Sequence, residues 1–174
     1  MSNLLSIEVT GSRELREQLL DAQRRLEAPR DLMAALGAIL ERNIEGRFDG
    51  KTDPGGIPWK PWAASTREQY DRQDAVKRGP NKGELRRRGS LLQRTNQMRD
   101  SLFANAGDDY VEVGMSRLSD NHRWNIALLH ETGTARMPRR GIFLADPDAG
   151  TLGVQDEADL DAEIVAFLDD VFGA

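Results

Sequence analysis

Two apolar stripes at helical spacing, meeting at Pro29, set the first limit on what this chain can fold into. Leu15, Leu19, Ala22 and Leu26 recur three and four residues apart, which predicts an amphipathic helix over residues 13–27. Ser12 stands where an N-cap belongs, and Glu14 puts a negative charge in the first turn. Pro29 suits the first position of a second helix. Its stripe runs through Leu32, Leu36, Ile39, Leu40 and Ile44 to about Phe48. Two helices apolar on one side need a surface to cover them, and a helical hairpin laid on a sheet supplies one.

Strands for that sheet are short. Leu5, Ile7 and Val9 alternate with polar residues, as do Val111, Val113 and Met115. The run "GIFLADP", from Gly141, reads as a buried strand closed by a proline turn, and Leu91, Leu92 and the stretch from Met98 to Phe103 read as helical pieces. Ser65 and Thr66 cap a short helix through Tyr70, whereas the run from Trp124 to His130 fits helix or strand equally. Leu160, Ile164, Phe167, Leu168 and Val171 make the apolar side of a last helix over residues 156–172. The expected class is α+β: an N-terminal strand and helical hairpin packed on a small antiparallel sheet, with a C-terminal amphipathic helix.

Between the second helix and the middle of the chain lies "GGIPWKPWAAST", a loop by its glycines and prolines. It holds two of the chain's three tryptophans, Trp59 and Trp62. A tryptophan in a loop either pins it by burying its ring or anchors a contact with another molecule. Both are interface candidates, with bracing the stronger reading for Trp59.

Charge divides the chain. The net charge is -5, yet the residues from Asp146 onward carry nine acids and no base, leaving +4 for the rest. The segment that begins at Arg67 and closes at Arg94 is basic, at +5. Within it, residues 77–90 are rich in glycine and charge and poor in apolar anchors, and so are expected to be mobile. Such a division suits nucleic acid, or two surfaces that attract one another. Arg136, Arg139 and Arg140 are expected to aim cations at a neighbouring surface from the loop "HETGTARMPRR". Asp159, Asp161 and Glu163 are expected to offer acids to a basic surface from the last helix.

Templates for chemistry fail. There is no cysteine, so no thiolate ligand, thiol nucleophile or disulfide. "GPNKGELRRRGS" lacks the spacing of a phosphate loop, and no dinucleotide fingerprint occurs. "DPDAGTLGVQDE" matches a calcium loop at Asp146, Asp148 and Glu157 but puts Gly150 and Thr151 where a ligand and the turn glycine belong. His122 and His130 are not spaced as a helical zinc pair. No catalytic residue, metal site or cofactor is expected; a metal-dependent hydrolase around His130 and Glu131 is the weakest of the readings kept. No apolar run approaches the roughly 20 residues of a membrane span, and no leader peptide is expected from the first residues.

Three pieces in order resemble the phage virion morphogenesis proteins, the tail-completion family of Mu-like contractile-tailed phages: "PGGIPWKPWAAST" after Phe48, "GSLLQRTNQMRDSL", and "ALLHETGTARMPRRGIFLADP". The matching residues are Pro54, Gly56, Trp59, Thr66, Leu91, Leu92, Thr95, His130, Gly133, Pro138, Arg140, Phe143 and Leu144. Asn96 departs from a position that is commonly Gly. The resemblance implies a family domain over residues 1–146, followed by an acidic C-terminal helix over 147–174. It implies a non-enzymatic assembly protein, found in the virion and assembled in the bacterial host cytoplasm. That protein would complete the tail or the head-tail connection as a homo-oligomeric ring in contact with other tail or head-connector proteins. The alternative from a different class is a nucleic-acid-binding protein using the segment from Arg67 to Arg94, with DNA contact not favoured.

Overall fold

Helix α2, Arg30–Gly50, is the element on which the others are laid. One side of it meets the two strands, and another meets the last helix. This computed structural model describes residues 13–85 and 90–173. In order come α1 (Arg13–Glu27), α2, α3 (Ala64–Asp74), a 3-10 turn (Arg99–Ser101), β1 (Leu102–Ala106), β2 (Val111–Met115), α4 (Ile126–Thr132) and α5 (Val154–Phe172). The expected strand around Leu5 to Val9, and the Ser12 cap, lie outside the described residues.

Pro29 sits one residue earlier than expected, at the cap of α2. There its missing N–H costs nothing, because the first amides of a helix have no partner within it. Leu36, Ile39, Ile44 and Phe48 form the buried side, with Phe48 fully enclosed. Gly37 faces the sheet. A Cβ there would lie 3.0 Å from Val111 Cγ2 and 3.3 Å from Ala104 Cβ, so glycine lets helix and strands close together. The helix ends at Lys51, which takes a left-handed conformation (φ 58°) and donates its N–H to the Arg47 carbonyl.

The sheet is one antiparallel pair, in register from Leu102 opposite Met115 to Ala106 opposite Val111. β1 corrects the helical reading of this stretch. Only the 3-10 turn is helical, and "LFANA" extends because β2 is there to pair with it; tertiary pairing outweighs the helix preference of Leu and Ala. Residues 141–144 correct the opposite error. They are apolar and inward-facing, but they are not a strand. Their backbone groups are taken by side chains, as described below.

The core joins Ile44 and Phe48 of α2, Trp59 of the loop, Met98, Met115 of β2, Ala127 of α4 and Ile142. Trp59 stands edge-on to Phe48 with ring centroids 5.4 Å apart. Helix α5 lies on α2 and reaches α1 with its C-terminal half. Arg25 of α1 donates to the Asp170 carboxylate and lies over the Phe167 ring. Among the described residues no helix is long and apolar enough to cross a membrane.

Candidate docking cleft

The segment Gly141 to Leu144 passes through the interior without a partner strand, so its polar backbone must be met some other way. Glu131 meets the amides. Its carboxylate accepts from the N–H groups of Ile142 (2.6 Å), Phe143 (2.9 Å) and Leu144 (3.1 Å). Three other side chains meet the carbonyls. Trp59 Nε1 donates to Gly141 (2.9 Å), Arg47 Nη1 to Ile142 (2.6 Å) and Arg139 Nη2 to Leu144 (2.5 Å). Glu131 reaches its place because α4 presents Ala127 and Glu131, four residues apart, on one buried side. Asn125 caps that helix by accepting from the Leu128 N–H, and its amide donates to the Met115 carbonyl, which fixes α4 to the end of β2. Gly133 ends α4 with φ 72°, and a Cβ there would come within 2.9 Å of the Arg139 nitrogen. The chain can therefore double back to carry Arg139 beside Glu131.

On the outer side of this clamp opens a cleft of about 490 Å³, walled by the loop after Trp59, α3, the 92–98 segment, α4 and residues 136–140. Trp62 and Tyr70 form one wall, edge to face at 5.1 Å. The Arg94 guanidinium lies 4.4 Å from the Tyr70 ring centroid and pairs with Asp74 at 2.9 Å. Arg117 pairs with Asp120 at 3.2 Å. Arg140 is only 4% exposed, and its guanidinium donates to the carbonyls of Lys60 (2.8 Å) and Pro61 (3.1 Å). Burial pushes its pKa down. His130 lines the same cleft; burial first, and the Arg140 charge second, lower its pKa to about 4, so the ring is neutral near pH 7. Its Nδ1 and the Arg94 Nε are buried without a hydrogen-bond partner among the described residues.

The structure sorts the residues singled out in the sequence. Trp62, Arg136 and Arg140 come together in the cleft. Arg139 does not join them: it turns inward to the Glu131 carbonyl (2.9 Å) and carboxylate (3.3 Å). Trp59 lies in the core at 6% exposure and pins the loop. Asp159, Asp161 and Glu163 are on α5, away from the cleft. Asp159 accepts from Asn43 (2.9 Å) and Gln155 (2.7 Å); these bonds, with a smaller contribution from the Arg42 charge, lower its pKa. Within the basic segment, Arg72 pairs with Glu68 and Arg94 with Asp74, while residues 86–89 lie outside the described part. Both Glu131 oxygens are occupied by amides and Arg139, and no group of three or more metal-ligating side chains occurs among the described residues. Sequence reasoning missed the Arg47–Asp156 pair and the Glu131 clamp. An arginine on the inner side of α2 and an acid between the apolar residues of α4 were the signals available.

No curated protein and no solved structure matches the chain. A family model does, over residues 11–160, a span that takes in the clamp, the cleft and the first turns of α5. On that match the chain belongs to the phage virion morphogenesis family.

Proposed function

We propose that this chain completes the tail, or the connection between tail and head, during virion assembly in the bacterial host cytoplasm. It acts as a structural component, not as an enzyme, and works as a homo-oligomeric ring in contact with other tail or connector proteins. Membership of the virion morphogenesis family carries the reading, since it gives the chain a part in building the particle. The clamp supports it. The buried side chains of Glu131, Arg47 and Trp59 hold backbone in place, which suits a rigid part. Electron microscopy of particles made without the chain tests the proposal. Separate full heads and tails are expected; intact infectious particles would overturn it.

A further inference from the structure

Arg140 is a buried cation with no anionic partner among the described residues. Its two hydrogen bonds go to neutral carbonyls, and a buried charge so placed is costly unless something compensates it. Two further buried nitrogens in the same cleft, Arg94 Nε and His130 Nδ1, also lack partners among the described residues. At the rim Arg136 is exposed, and its side chain makes no ion pair among the described residues. A cationic cleft with an aromatic wall of Trp62 and Tyr70 fits a carboxylate carried next to an apolar side chain.

The chain itself presents such a surface. α5 is held to its own body through Asp156, Asp159 and Phe167. Its opposite side carries Asp161, Val165, Asp169 and Phe172 at helical spacing. Val165 is 56% and Phe172 64% exposed, and the Asp161 and Asp169 carboxylates have no ion pair or hydrogen bond among the described residues. The two surfaces are opposite in charge and are built from different elements. We propose that the cleft around Arg140 receives the outer side of α5 from a second copy of this chain. This deepens the assembly reading and rests on it, by naming the two surfaces that meet. Because they differ, the contact is head-to-tail, and each copy offers one of each.

Sedimentation velocity on the full chain at low salt tests the inference. The cleft variant is Arg136→Glu, and the helix variant is Asp161→Asn with Asp169→Asn. All three positions are exposed, so circular dichroism should show both variants folded. The wild type should associate beyond a dimer, and raised salt should weaken it. Each variant alone should associate at least about tenfold more weakly, the size expected for disrupted charge pairs. Mixed together they should form dimers and stop there, because one intact cleft then meets one intact helix. A monomeric wild type, a variant that assembles normally, or a mixture that stays monomeric would overturn the proposal. So would duplex DNA binding that Arg136→Glu abolishes, since it would assign the cleft to phosphates. Failure here is distinct from failure of the assembly reading. Particles could still need the chain while its copies meet through other surfaces, as variants that assemble normally would show, and that combination removes this inference alone.

Discussion

The Asp156 carboxylate closes an ion pair with the Arg47 guanidinium in the interior, across 109 positions of sequence. Asp156 is fully buried, and the same arginine also holds the Ile142 carbonyl, so one side chain ties α5, α2 and the clamp together. Removing one partner leaves a buried charge alone. Arg47→Met or Asp156→Asn should each cost about 3–5 kcal/mol of stability by urea denaturation. Replacing both by apolar residues should recover part of that loss, because no charge is then stranded.

Glu131→Gln should loosen residues 142–144. An amide offers one acceptor oxygen where the carboxylate offers two, so at least one buried N–H is left unmet, at about 1–3 kcal/mol. Hydrogen exchange should speed up at Ile142, Phe143 and Leu144 more than at β1. Unchanged exchange would mean that these amides have another acceptor.

The two loop tryptophans should separate cleanly. Trp59→Phe removes the bond to Gly141 and leaves a gap beside Phe48, so a loss of about 2 kcal/mol is expected by denaturation. Trp62→Phe keeps an aromatic ring against Tyr70 and should change stability by less than about 0.5 kcal/mol.

Acid should weaken the fold through His130. Its folded-state pKa is about 4 against an ordinary 6.5, so between these values the unfolded chain binds a proton that the folded one refuses. Stability therefore rises with pH across that window and is lost as pH falls through it, by about 2 kcal/mol between pH 7 and 5. Denaturation at both pH values, with the wild type and His130→Leu, isolates the effect. The variant should lack that part of the slope.

Periodic segments were legible in the sequence, and side-chain scaffolding was not. The stripe from Leu36 through Ile44 and that from Leu160 through Val171 each led to a helix, because a helix writes its apolar side at fixed spacing. "GIFL" read as a strand for a sound reason: it is apolar, and Ile142 at its middle is fully buried. Whether such a run joins a sheet depends on what meets its backbone; Arg47 and Trp59 come from distant positions, and Glu131 and Arg139 are nearby in sequence but aimed only by the turn at Gly133. β1 was hidden for the converse reason, since its partner lies beyond a turn and its own residues favour helix. At the cleft, Trp62, Arg136 and Arg140 were visible as residue types, but the turning of Arg139 away from them follows from Gly133 and the position of Glu131.

The Glu131 clamp also bears on how such a protein avoids uncontrolled stacking. An extended apolar run with open amides is a template for a foreign strand, and strand-to-strand addition has no natural stopping point. At Ile142, Phe143 and Leu144 those donors already belong to a carboxylate of the same chain. Any neighbour must then be recognised here through side-chain shape and charge, which can specify one partner in one orientation, as a growing β-ribbon cannot.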